Sequence, residues 1–139
     1  SIQSLAPLAL QSWQASSGGT VWRFRLRSVV YFHNDPAFGG KPRTVTAADV
    51  VYSLQRLVDP KTQTLGSFIL TDVVKGATEF MEGKASSVVG ITAEDERTVT
   101  FHLTKPYALF PARLSLPFAA IIAREAVAQL LDARDHGFI

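Results

Sequence analysis

Residues 21–27 read VWRFRLR, with an arginine at every second position and Trp22, Phe24 and Leu26 between them. Side chains of a β-strand point alternately to its two faces, so this period of two places the three apolar residues on one face and the arginines on the other. The pattern predicts a strand whose aromatic side is buried. Its arginine side is either a surface that meets solvent or neighbouring protein, or a cationic surface for a ligand.

Two hairpins are predicted around this strand. A Gly-Gly pair within SSGG at 16–19 separates it from a preceding alternating run, which is typical of a β-hairpin. A second hairpin is predicted over 88–106, where Val99, Phe101 and Leu103 alternate with polar residues after an AEDER turn. Together they predict a small, mainly antiparallel sheet.

The stretch TVTAADVVYSLQRLVDP at 44–60 predicts a helix with well-defined ends. Thr46 is placed to accept from the first-turn amides, Asp49 stands in the reciprocal capping position, and Pro60 prevents continuation. Aspartate makes this capping box shorter and weaker than glutamate would. An apolar stripe at helical spacing is predicted to pack on the sheet, and it consists of Val50, Val51, Leu54, Leu57 and Val58.

The other segments carry weaker patterns. The predictions are an exposed, mobile loop at 34–43, a short strand or loop at 65–76, a short helix at 77–84, a proline-interrupted helix at 108–116, a buried strand or extended run at 118–123, and a final helix at 124–133 with Ala126, Val127, Leu130 and Leu131 inward. The whole is predicted to be an α+β domain: a small, mixed but mainly antiparallel sheet with flanking helices.

Composition indicates one folded domain over 1–139, with 47% hydrophobic and 19% charged residues. The net charge is only +2, from 14 basic and 12 acidic residues, which is weak support for nucleic-acid binding. The chain has no cysteine, so disulfides and thiolate metal sites are excluded. The longest apolar region, 107–123, is broken by prolines and an arginine and is too short for a membrane span. Because no initiator methionine is present, we expect a segment of a longer protein.

No motif for catalysis or for a cofactor is found. His33, His102 and His136 show no metal-ligand spacing, and no serine lies in a GxSxG motif. The glycines in FGGKPR at 38–43 lack the pattern of a phosphate-binding loop and indicate a flexible loop. We therefore predict no metal, no cofactor and no enzymatic activity. A small hydrolase, with a serine, a histidine and an aspartate brought together by folding, is kept as an alternative.

The charged side chains are interpreted as surface groups. Four acidic residues lack a second carboxylate at a spacing that would hold it nearby, so they are predicted to be caps or helix-face charges; they are Asp49, Glu79, Glu82 and Glu125. A nucleic-acid-binding module using Arg23, Arg25 and Arg27 is the other alternative. It requires aromatic rings beside those arginines, whereas the aromatic residues of the strand point to the opposite face.

The order of the motifs extends the interpretation beyond composition. LALQSWQASSGGTVWRFRLRSVVYFH followed by TVTAADVVYSLQRLVDP resembles the corresponding blocks of the family 5 extracytoplasmic solute-binding proteins. The likeness continues through GATEFMEGKASSVVGITAEDERTVTFHLTKPYALFPARLSLPFAAIIAREAV, so that five blocks follow in the family's order from Leu8 to Val127. The chain departs from the family at Val29, where glycine is usual, at Ala123, where proline is frequent, and in the longer loop at 34–43.

The resemblance implies a role in transport. These proteins are the oligopeptide and dipeptide receptors of ABC importers, periplasmic or lipid-anchored, with two lobes that close around the ligand. Residues 1–139 resemble the small domain of the first lobe, which contributes little or nothing to ligand contact, so no ligand-binding residue is assigned. The implied partners are a peptide or other small solute, the permease membrane subunits and the remaining lobes, but no nucleic acid. Relatives that carry nickel complexes, sugars or opines leave the ligand open.

Overall fold

A computed structural model describes residues 10–27, 31–32, 35–61, 68–114, 123–125 and 127 of the chain. Within these residues the strands are β1 (Leu10–Ser16), β2 (Val21–Leu26), β3 (Ile91–Asp95) and β4 (Thr98–His102). The helices are α1 (Ala47–Val58), α2 (Phe68–Thr71), α3 (Ala77–Met81) and α4 (Phe110–Arg113), and short 3-10 turns occupy Ser17–Gly19 and Pro36–Phe38. The predicted α+β class is confirmed.

The four strands form one antiparallel sheet in the order β1-β2-β4-β3. Both predicted hairpins are present, and they join through β2 and β4, which lie at the centre of the sheet. Phe24 stands opposite Val99 and Trp22 opposite Phe101 across this central pair. The glycine pair is needed in the first turn because Gly18 has a φ of 68° and Gly19 a φ of 92°.

The core lies on the aromatic side of β2, as the alternation predicts. Trp22, Phe24 and Leu26 are buried, and the arginines between them are exposed. The Phe24 ring meets the rings of Phe101 and Phe110 edge to face, at centroid distances of 5.3 Å and 6.1 Å. Such pairs add to the burial of apolar area, so these three rings form the centre of the core.

Helix α1 closes the core on that side of the sheet. Its predicted capping box is present: the Asp49 amide donates to Thr46 Oγ1 at 3.4 Å, and the Thr46 amide donates to Asp49 Oδ2 at 2.8 Å. The Ala47 amide donates to the Glu96 carbonyl at 2.7 Å, which ties the start of α1 to the β3–β4 turn. The predicted apolar stripe of α1 is confirmed at Val50, Leu54 and Val58, which are fully buried.

Two of the weaker predictions need correction. The segment at 65–76, predicted to be strand or loop, contains the short helix α2, followed by Val74 in an isolated bridge to Leu103. The loop at 34–43 contains a 3-10 turn, which begins where the Asp35 carboxylate accepts from the Ala37 amide at 2.9 Å. Phe38 is partly buried against the core, so this loop is not exposed along its whole length.

The remaining predictions concern the short helices and the C-terminal part of the chain. The predicted short helices at 77–84 and 108–116 are confirmed as α3 and α4. Val29 and most of the runs at 118–123 and 124–133 lie outside the described residues, although Arg124, Glu125 and Val127 are helical. Among the helices that the structure describes, none has both the length and the apolar character that a membrane crossing requires.

Candidate functional site

The polar face of the sheet is the first surface that a ligand or partner could use. Arg23 and Arg25 of β2 lie on this face, opposite Gln14 and Ser12 of the edge strand β1. On the other side they stand opposite threonines of β4. A shallow hollow of about 490 Å³ lies over these side chains and is bounded on its far side by Glu94.

Arg23 is paired with a carboxylate of the same face. Its Nε donates to Glu94 Oε1 at 3.1 Å, and the same oxygen accepts from the Thr100 hydroxyl at 2.5 Å. Both hydrogen bonds favour the ionised carboxylate and lower the pKa of Glu94, the Thr100 bond being the larger cause. Both side chains of the ion pair are more than a third exposed, so we expect it to add little to stability.

Arg25, two residues further along β2, is hydrogen-bonded in a similar way. Its Nη1 donates to Thr98 Oγ1 at 3.3 Å, and this hydroxyl donates to Asp95 Oδ2 at 3.2 Å. The pKa of Asp95 is lowered, chiefly because its carboxylate accepts from the Arg97 amide. The two arginines of the hollow are therefore matched by two carboxylates on β3.

Arg43 forms the second cluster, at the start of α1. Its Nη1 and Nη2 donate to the two carboxylate oxygens of Asp49 at 2.9 Å and 2.6 Å. Its Nε and Nη2 donate to the two oxygens of Glu125 at 2.6 Å and 3.2 Å. A further bond from Nη1 to the carbonyl of Thr44 engages the fifth N–H. Arg43 also lies over the Phe32 ring, 5.5 Å from its centroid.

The predicted role of Asp49 as a cap is confirmed, but the cluster corrects the expectation that neither Asp49 nor Glu125 has a second carboxylate nearby. Both carboxylates bind one guanidinium, and the Asp49 side chain is only 6% exposed, compared with 25% for Arg43 and 41% for Glu125. The bonds raise the pKa of Arg43, and the bond from Arg43 lowers the pKa of Glu125. Since 82 residues separate Arg43 from Glu125, no local spacing in the sequence could have indicated their contact.

The other predicted site residues do not assemble with these clusters. Glu79 is exposed on α3, and Glu82 makes an exposed ion pair with Lys84 at 3.1 Å. His102 is exposed on β4, while His33 and His136 lie outside the described residues. In the part of the chain that the structure describes, no three His, Asp or Glu side chains are grouped to hold a metal ion.

The chain belongs to the bacterial extracellular solute-binding proteins, family 5, because it matches the model of the middle region of that family over residues 4–136. It is 34% identical over 137 residues to the di/tripeptide-binding protein 2 of Pseudomonas aeruginosa, covering 96% of this chain and 24% of that protein.

Solved structures agree with this assignment. OppA of Burkholderia pseudomallei superposes with a TM-score of 0.72 at 30% identity, covering 90% of this chain and 23% of that one. OppA of Listeria monocytogenes, solved with bound peptide, gives a TM-score of 0.75 at 25% identity, covering 95% and 26%. The chain thus spans about a quarter of the length of the relatives it matches.

Proposed function

We propose that this chain is the small domain of the first lobe in the substrate-binding component of an ABC importer. The complete component captures peptides outside the inner membrane and delivers them to the permease. The observation that carries this proposal is the family match over residues 4–136, together with relatives that are named as di/tripeptide-binding and oligopeptide-binding proteins. The mechanism is closure of two lobes around the ligand, a population shift toward a state that the permease recognises.

Within that protein we assign this domain a structural role. The aromatic side of β2 is used by the domain's own core, since Phe24 is fully buried. On the opposite face, Arg23 and Arg25 are hydrogen-bonded to groups of neighbouring strands. No described side chain has a buried nitrogen or oxygen without a hydrogen-bond partner, so the described part offers no buried polar group for a ligand to satisfy.

The partners and the location follow from the same proposal. The ligand is a peptide, bound by the full-length protein, and the protein partners are the permease membrane subunits and the remaining lobes of the longer chain. The location is periplasmic or lipid-anchored on the outside of the inner membrane; one relative, MppA of Escherichia coli, is named a periplasmic murein peptide-binding protein. The paired charges of the polar face do not favour a nucleic-acid partner.

Calorimetric titration of the longer protein that contains this chain tests the proposal. We expect saturable heat with di- and tripeptides, and none with nickel complexes, sugars or opines as comparison ligands. The double variant Arg23→Ala/Glu94→Ala removes an exposed ion pair of the polar face and should change the peptide Kd by less than about twofold. Binding of a comparison ligand alone would overturn the peptide assignment, and a tenfold loss in the double variant would overturn the structural role.

A further inference from the structure

The connection from α3 to β3 contains a continuous exposed stretch, residues 82–87, which we name the 82–87 loop. All of its residues are exposed, whereas Val88, directly after it, is buried. Residues 85–87 take part in no hydrogen bond within the described part of the chain. The loop also carries Lys84, whose side chain is 70% exposed. Exposed loop tips with small and polar residues are the sites at which proteases cut folded proteins.

The peptide bond between Lys84 and Ala85 is accessible because the Lys84 carbonyl accepts no hydrogen bond from another described residue. A serine protease has to bind this carbonyl oxygen in its own oxyanion hole. Lys75 does not meet this requirement in the folded domain, since its carbonyl accepts from the Gly90 amide at 2.8 Å. The ion pair of Lys84 with Glu82 is exposed, so little is lost when a protease takes up the lysine side chain.

One side chain of α1 limits how far the 82–87 loop can open. Gln55 Oε1 accepts from the Val88 amide at 2.7 Å, across 33 positions of sequence. Only residues 85–87 therefore separate the Lys84 carbonyl from a fixed point of the chain. A protease binds several residues on each side of the bond in an extended form, so release of Val88 from Gln55 lengthens the segment that it can bind. Cleavage of a folded protein follows the population in which such a segment is open.

The two parts of the chain on either side of this bond are joined through the core. Strand β4 belongs to the second part and pairs along its length with β2 of the first. The ring centroids of Phe101 and Phe24 are 5.3 Å apart, and the Leu103 amide donates to the Thr20 carbonyl at 2.7 Å. Hydrolysis of one exposed bond breaks none of these contacts, so both parts should stay together after the cut.

We propose that the bond between Lys84 and Ala85 is a cleavage site for proteases that cut after lysine, and that Gln55 controls access to it. The reaction consumes one water molecule, breaks the amide bond, and leaves a carboxylate on Lys84 and an amino group on Ala85. The product is a two-chain domain with an intact core. Gln55 is a positioning residue, because it acts on the cleavage site through Val88.

Limited digestion of the 139-residue chain with trypsin, followed by mass spectrometry, tests the site. We expect the cut after Lys84 to be about tenfold or more faster than the cut after Lys75, whose carbonyl is hydrogen-bonded. Lys84→Gln should abolish the cut at this bond, and Lys84→Arg should retain it. Equal rates after Lys84 and Lys75 in the original chain would overturn the proposal.

Variants of Gln55 test the control of access. Gln55→Leu removes the acceptor of the Val88 amide and should speed the cut after Lys84 about fivefold, the effect of one lost hydrogen bond, without changing the rate after Lys75. Gln55→Glu keeps an acceptor oxygen and should be cut at nearly the original rate. Val58→Ala lowers the stability of the whole domain and should accelerate both cuts. Control by Gln55 is overturned if Gln55→Leu leaves the rate after Lys84 unchanged or accelerates both cuts equally.

Gel filtration of the cleaved chain tests whether the domain survives the cut. The two fragments should elute together at the volume of the uncut chain under native conditions, and separately in urea. Separate elution under native conditions would overturn the two-chain domain.

Discussion

Thr46 caps the first turn of α1 through its side chain as well as its backbone. Its hydroxyl accepts from the Asp49 amide, which also donates to the Thr46 carbonyl at 3.0 Å and belongs to the first turn, where amides have no carbonyl four residues earlier in the helix. Replacing Thr46 by alanine should therefore lower the free energy of unfolding by about 1 kcal/mol. Urea denaturation measures this change. Thr46→Ser keeps the acceptor oxygen and should retain most of the stability, so equal losses in the two variants would contradict the role of the cap.

The ion pair between Glu125 and Arg43 can be tested through the pH dependence of stability. The bond from Arg43 lowers the pKa of Glu125 in the folded chain. Because the pKa is lower in the folded chain than in the unfolded chain, the ionised Glu125 stabilises the fold above its unfolded-state pKa of about 4.3. This stabilisation is lost as the pH falls through the folded-state pKa. Glu125→Gln should therefore be less stable than the original chain at pH 7, by less than about 1 kcal/mol because the pair is partly exposed. Urea unfolding between pH 7 and pH 3 should show this difference shrink, and a constant difference would contradict the ion pair.

At the scale of the element, the two faces of β2 should respond differently to substitution. Phe24→Ala removes a fully buried ring from the core and should cost about 3–5 kcal/mol. Arg23→Ala removes one side of an exposed ion pair and should cost less than about 1 kcal/mol. Thermal or urea unfolding of the two variants compares them directly. If Arg23→Ala were the more damaging change, the assignment of the aromatic face to the core would be wrong.

The start of α3 depends on a glycine for two reasons that can be separated. Gly76 has a φ of 83°, and a Cβ added there would stand 2.6 Å from Val89 Cγ1. Gly83, at the other end of the helix, has a φ of 77° with open space around the added Cβ. Gly83→Ala should cost about 1–2 kcal/mol through backbone strain alone. Gly76→Ala should cost more because of the collision, and equal costs in chemical denaturation would show that Val89 moves aside freely.

The elements differ in how far the sequence could predict them. The hairpins and α1 were predictable because their information is local: a period of two, a glycine pair, a capping box and a terminating proline. Helix α2 was not, because its four residues, FILT, are apolar or β-branched and equally compatible with a strand. The Arg43 cluster was missed for a different reason. Its partners meet only after the chain has folded, and 82 residues separate the two ends of the contact.

At the scale of the whole molecule, the chain resembles only about a quarter of each peptide-binding relative, and its own features argue against a ligand site within the described part. The hollow over the polar face of the sheet is open, and its arginines and carboxylates are already hydrogen-bonded. A short peptide carries a charged amino group and a carboxylate, which need unpaired partners in a site closed to water. We therefore expect calorimetric titration of di- and tripeptides into the 139-residue chain to give no saturable heat, while the longer protein binds them. Saturable binding to the 139-residue chain, abolished by Arg25→Ala and unchanged by Lys84→Ala, would instead locate a peptide site on the polar face of the sheet.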